Sequence, residues 1–149
     1  MIPLDALKGS STSRASTTTV TADPELSVDV EANAEYVLDA YIRYSGSTAA
    51  DITIQFTGPS GSSGSYGGYM LDIGETVEAG AKRSIRTPIN SARDVGCIST
   101  STAMVMLIKG RLIVGGTAGA FSFDWAQRVS NGTATVVESD SWFSVRRVA

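Results

Sequence analysis

The sequence predicts an all-β domain, an antiparallel β-sandwich of jelly-roll-like topology with a flexible N-terminal arm. Three observations predict it. Apolar residues recur at every second position in one run after another, breaks containing Gly, Pro, Asn and Ser separate the runs, and no stretch sustains a helical period. About nine or ten short strands with turns between them make a sandwich or barrel the natural architecture. A chain of 149 residues, 42% hydrophobic and 18% charged, suits one domain. A domain of that length buries roughly 70% of the surface its unfolded form exposes. We divide the chain into an arm, 1–16, and a sandwich domain, 17–149.

The arm opens with a short apolar patch, Ile2-Pro-Leu-Asp-Ala-Leu7, and continues through Lys8 to Ser16 in Ser, Thr and Gly. That composition offsets its ordering entropy only by docking on something, so the arm is expected either to lie across a neighbouring subunit or to be mobile. Thr17-Thr-Thr-Val-Thr21 is β-branched and suits a strand. Ala22-Asp-Pro-Glu25 then turns the chain, and Leu26, Val28 and Val30 point inward against Ser27, Asp29 and Glu31. The central strand is Glu35 to Tyr44, with Tyr36, Leu38, Ala40, Ile42 and Tyr44 on one face. After Ser45-Gly-Ser-Thr48 the alternation resumes at Ile52, Ile54 and Phe56, which predicts a hairpin.

The glycine-rich segment Gly58–Gly68 reads as an exposed loop or extended edge, and Tyr69 to Leu71 as a brief pairing. Ser84 to Pro88 is expected as a short strand, Asn90 to Thr102 as a loop or single helical turn. Ala103 to Val114 is the strongest apolar run. Met104, Met106, Ile108, Leu112 and Val114 share one parity, which predicts a long strand bulged at Gly110. Phe121, Phe123, Trp125 and Gln127 alternate against Ser122, Asp124 and Ala126. The turn pair Asn131-Gly132 precedes two last strands, Thr135–Val137 and Ser141–Val148, and in the second Trp142, Ser144 and Arg146 share a parity opposite to Phe143, Val145 and Arg147.

Composition narrows the chemistry. The chain has no histidine, which excludes every triad, metal site and acid–base scheme that requires an imidazole. A net charge of −3 with scattered Lys and Arg gives no footprint for nucleic acid. No apolar stretch approaches the ~20 residues of a membrane span, and no signal-peptide pattern opens the sequence, so synthesis in a cytoplasm is expected. A single cysteine, Cys97, forms no intrachain disulfide and is expected to be buried as a small apolar residue. No cofactor, catalytic or metal-ligating set is predicted. Asp23, Glu25, Asp29 and Glu31 are the one carboxylate group dense enough to suggest glycoside hydrolysis, yet Asp29 and Glu31 fall on the solvated face of a strand. Tyr66 and Tyr69, beside the glycine-rich segment, are the residues a ligand-facing loop would use to stack on a sugar.

Thr17-Thr-Thr-Val-Thr21, Asp23-Pro-Glu-Leu26, Val30-Glu-Ala-Asn-Ala-Glu-Tyr36, Asp51-Ile-Thr-Ile-Gln-Phe-Thr-Gly-Pro-Ser-Gly61, Phe123-Asp-Trp-Ala-Gln-Arg-Val-Ser130 and Ser141-Trp-Phe-Ser-Val-Arg-Arg-Val148 follow in that order. Together they resemble a β-sandwich module of virion proteins from tailed bacteriophages, a module also found in tail proteins. The resemblance implies a non-enzymatic virion structural protein that assembles as a homotrimer. Its partner would be the major capsid protein or another virion protein, and its place the capsid surface. A fibre would need a shaft of repeats or heptads, whereas a small domain with a short arm suits a capsid decoration or minor capsid protein. Ile2, Leu4 and Leu7 would then anchor the arm to the shell or a sister subunit. The alternative is a tail-associated or receptor- and glycan-binding module that uses Tyr66 and Tyr69.

Overall fold

Alternation along Glu35–Ser45 places one side of that strand wholly in the interior, and the rest of the chain packs around it. The computed structural model describes residues 2–149. Its strands are β1 (Leu4–Leu7), β2 (Thr12–Arg14), β3 (Thr21–Val30), β4 (Glu35–Ser45), β5 (Ile52–Thr57), β6 (Ser63–Leu71), β7 (Lys82–Arg83), β8 (Thr87–Pro88), β9 (Ala92–Val95), β10 (Met104–Ile113), β11 (Gly119–Gln127), β12 (Thr135–Val137) and β13 (Trp142–Arg147). They form an antiparallel β-sandwich. The larger sheet runs β1-β13-β4-β10-β6-β7, with β12 joining β4 and β2, and β8 joining β6; the smaller runs β3-β11-β5-β9. The pairs β3–β11, β4–β10 and β5–β9 nest around β6, the wrapped-hairpin connectivity that makes the sandwich jelly-roll-like.

The core sits between the sheets and is built by the inward parity of each strand. Tyr36, Leu38, Ala40, Ile42 and Tyr44 from β4 meet Met106, Ile108 and Leu112 from β10, and across the gap lie Ile52, Ile54 and Phe56. Phe56 is the hub of an aromatic cluster drawn from both sheets. Its ring lies 5.2 Å from Tyr66, 5.3 Å from Phe123, 5.6 Å from Phe121 and 5.8 Å from Phe143, mostly edge to face. Such pairs contribute about 0.5–1.5 kcal/mol each beyond burial.

Several expected local features are corrected. β4 and β5 do not form a hairpin: they lie in opposite sheets, and Gly46–Asp51 carries the chain across the sandwich. Alternation fixes which face of a strand is buried, and both strands satisfy it by facing the same core from opposite sides. The turn expected at Ala22–Glu25 lies inside β3. There the pairing with β11 jumps from Ser27↔Ser122 to Ala22↔Asp124, and the extra residues hold Pro24 on an edge strand, which tolerates its missing N–H. The strand expected over Thr17–Thr21 begins only at its last residue. Of the alternatives for Gly58–Gly68 the extended edge is found, joined with the pairing expected at Tyr69–Leu71 in one strand, β6, whereas β9 is a strand where a loop or helical turn was expected. β10 has no bulge at Gly110; the residue is glycine because a Cβ there would lie 2.6 Å from the Ser65 carbonyl oxygen.

The N-terminal segment also departs from expectation. It is not a free arm: β1 adds to β13 and β2 to β12, both within this chain. Lys8 carries the reason. Its ammonium, fully buried, lies 2.9 Å from the equally buried Asp23 carboxylate and donates to Thr12 Oγ1 at 2.7 Å, while Asp23 also accepts from Trp125 Nε1 at 3.0 Å. Arg14 lies over the Trp125 ring at 4.3 Å and donates to the carbonyls of Thr21, Ala22 and Trp125. The segment thereby ties the large sheet to β3 and β11 of the small one. Ser/Thr-rich composition hides this because two cations with specific partners, rather than a periodic apolar pattern, do the docking.

Candidate functional site

Each sheet turns one face to solvent, and strand register decides what stands there. On the small sheet Thr53, Gln55 and Thr57 of β5 pair with Ala126, Asp124 and Ser122 of β11, and Thr53 and Gln55 with Asp94 and Ala92 of β9. These side chains bond one another: Thr53 Oγ1 donates to Asp94 at 2.7 Å, Thr57 Oγ1 to Asp124 at 2.9 Å and Ser122 Oγ to Asp124 at 2.6 Å.

The large sheet differs. Register aligns Leu7, Trp142, Tyr41, Leu107 and Tyr69 in one row across β1, β13, β4, β10 and β6. Leu7 is 72% exposed, Tyr69 56% and Leu107 50%. Tyr41 and Trp142 stand as parallel plates, their centroids 6.4 Å apart and their planes at 8°. Beside this row, Trp142 walls an open trough of about 640 Å³ whose polar lining comes from Asp5, Asp39, Lys109, Ser144 and Arg146. Lys109 and Asp39 form an ion pair there at 3.0 Å.

The residues singled out from the sequence are dispersed by the fold. Tyr66 is corrected outright: it is buried at 2% exposure, and its hydroxyl donates to the Ser91 carbonyl at 2.7 Å, so it faces no ligand. Burial pushes its hydroxyl pKa upward. Tyr69, on the opposite parity of the same strand, is exposed at the end of the apolar row. Of the three anchor residues, Ile2 and Leu7 are exposed, whereas Leu4 faces inward and packs on the buried cluster. The four carboxylates are taken up in separate contacts or left apart. Asp23 and Glu25 hold Lys8, Asp29 is exposed, and Glu31 meets Arg147.

β1 is the terminal strand of the large sheet and pairs only with β13 among the described residues. Native sheets usually blunt such an edge with charges, Pro or bulges. Here Pro3 and the exposed Asp5 lie at that edge together with the apolar Ile2, 88% exposed, and Leu7. The one cysteine lies elsewhere. Cys97 is buried, its N–H donates to the Asp51 carboxylate at 2.8 Å, and burial raises the thiol pKa. Burial likewise raises the Asp51 carboxyl, against the lowering effect of that N–H and of Arg128. A raised thiol pKa means a protonated, poorly nucleophilic sulfur.

The trough was missed in the sequence because it is assembled by register. The parity of Trp142, Ser144 and Arg146 was visible, but their neighbours on β1, β4 and β10 are not adjacent in the chain.

No family model matches this sequence, and no curated protein does. Among solved structures, the infectious bursal disease virus Gt strain aligns over 99% of this chain and 38% of that chain at 10% identity, with a TM-score of 0.30. The Gx strain of that virus aligns over 99% and 36% at 11% identity with a TM-score of 0.25. The crystal structure of its VP2 subviral particle aligns over 99% and 42% at 11% identity with a TM-score of 0.24. This chain thus spans about two fifths of the length of each. Agreement so loose carries neither fold nor role across.

Proposed function

We propose that this chain is a non-enzymatic virion structural protein, a capsid decoration or minor capsid protein that assembles as a trimer on a phage head and stabilises or decorates it. The observation that carries the reading is that β1 ends the large sheet, with no strand paired on its outer side among the described residues and with Ile2 and Leu7 exposed beside it. Strand edges of this kind pair with another chain, and apolar side chains at the seam add about 25 cal/mol per Å² of apolar area removed from water, before association costs. The resemblance of its sequence motifs to those of phage virion proteins supports the same reading, and most of the motif residues lie in strands of the sandwich. The partner is a sister subunit and, through the assembled trimer, the major capsid protein or another virion protein. Leu4 contributes indirectly, by seating β1 on its own core.

The test is made on particles. Particles purified from cells that produce the chain are expected to contain it in fixed ratio to the major capsid protein by quantitative mass spectrometry. They are expected to lose it when Ile2→Ser and Leu7→Ser are combined. Absence from washed particles, or attachment indifferent to the double substitution, would overturn the reading.

A further inference from the structure

Leu7 and Trp142 are neighbours in register on the same outward face, Leu7 on the terminal strand and Trp142 one strand further in. Pairing at the outer edge of β1 extends the sheet sideways and leaves its outward face open. On that face lies the trough walled by Trp142, and its chemistry is specific. Its lining includes Val37, two carboxylates, Asp5 and Asp39, two cations, Lys109 and Arg146, and the Ser144 hydroxyl. Among the described residues the only salt bridge within this lining is Lys109–Asp39, so Asp5 and Arg146 stand outside any ion pair.

We propose that this trough binds a neutral glycan, one pyranose ring stacking on the trough-lining side of the half-buried Trp142. Three features select that ligand class. A pyranose has an apolar C–H face and a rim of hydroxyls that both donate and accept, so it needs an aromatic plate beside both kinds of partner. Asp5 and Asp39 accept, Arg146 and Lys109 donate, and Ser144 does either. The two positive and two negative side chains cancel, which gives no field to attract a phosphate, sulfate or carboxylate-bearing ligand. The indole is also held in place. Tyr41 stacks behind it at 6.4 Å and 8°, so little rotamer entropy is lost on binding. A volume of about 640 Å³ holds a short oligosaccharide within the usual size range of ligand sites. The site replaces the tyrosine pair expected from the sequence, of which Tyr66 is buried. It goes beyond the structural role proposed above and does not depend on it.

Tryptophan fluorescence reads it directly. The chain has two tryptophans, and Trp125 is fully buried, so a ligand-dependent change in emission reports Trp142. The isolated chain would be titrated with maltotriose, cellotriose, mannotriose, chitotriose and lactose, and with sialyllactose and a heparin disaccharide as anionic probes. At least one neutral sugar is expected to shift the emission with an affinity insensitive to salt, since no net charge is screened. Calorimetry on Trp142→Ala is expected to show that affinity falling at least about tenfold, as for loss of a central aromatic contact. Asp5→Ala, on the exposed edge, is expected to weaken binding several-fold with the melting temperature unchanged, which separates lost contact from lost fold. Silence across the neutral panel, salt-sensitive binding of the anionic probes alone, or binding that survives Trp142→Ala would overturn the proposal. Occlusion of Trp142 in the assembled oligomer, seen as loss of acrylamide quenching without sugar, would also overturn it and make the trough a subunit contact.

Discussion

The two outward faces of the sandwich contrast in what they do with their side chains. On the small sheet Thr53, Thr57, Ser122, Asp94 and Asp124 bond one another, so the face leaves little unsatisfied chemistry to offer a partner. On the large sheet the row from Leu7 through Trp142, Tyr41 and Leu107 to Tyr69 is apolar and open, with charges grouped beside it. Both faces cover the same core. The difference teaches that two faces over one core can carry opposite chemistry: ladders of polar side chains reinforce one, while the other retains apolar surface whose burial would yield binding energy.

The strongest way to break the contrast is to damage what both faces share. Asp23→Asn leaves the buried Lys8 ammonium with only the more distant, partly exposed Glu25 carboxylate as countercharge and is expected to cost about 3 kcal/mol, read as a fall in the urea midpoint. Thr53→Val tests the polar face. Losing its bond to Asp94 is expected to cost about 1 kcal/mol in the same assay. Leu107→Thr tests the open face, where a β-branched polar residue is expected to change stability by less than about 0.5 kcal/mol. Equal losses for Thr53→Val and Leu107→Thr would erase the contrast.

A pH experiment sharpens the account of the sandwich crossing. Burial raises the Asp51 carboxyl above 3.8, so the native state holds its proton more tightly than the unfolded chain does. This contribution is fully present below the unfolded value and is lost as pH rises through the raised folded value. Asp51→Asn keeps an acceptor for the Cys97 N–H and tolerates the left-handed φ of 53° at this position. The variant is expected to flatten the stability-against-pH curve just above 3.8 and to be no less stable at neutral pH. A slope identical to that of the parent would remove Asp51 from the titration.

How much of this was legible in the sequence follows from what periodicity encodes. The inward parities of β4, β10 and β11 were readable because one face of each is apolar along nearly its whole length, Gln127 at the end of β11 excepted, and the all-β sandwich followed. Strand partners were not readable. β4 and β5 looked like a hairpin because the same alternation serves two strands facing one core from opposite sheets. Gly64, Gly67 and Gly68 looked like loop residues, yet they allow β6 close against neighbouring backbone: a Cβ at Gly68 would lie 2.0 Å from the Leu107 carbonyl oxygen. The trough was the least legible feature, since Asp5, Asp39, Lys109 and Trp142 meet only once four strands are in register.

The central claim is that the β1 edge, with Ile2 and Leu7, is where this chain meets its own copies, and light scattering across a dilution series tests it most directly. The account predicts a mass three times the 15.5 kDa of one chain that persists on dilution. It predicts further that Ile2→Ser combined with Leu7→Ser drops the mass to one chain while the β-sheet circular dichroism is unchanged. A parent chain that is monomeric at every concentration, or a trimer indifferent to the double substitution, would contradict it.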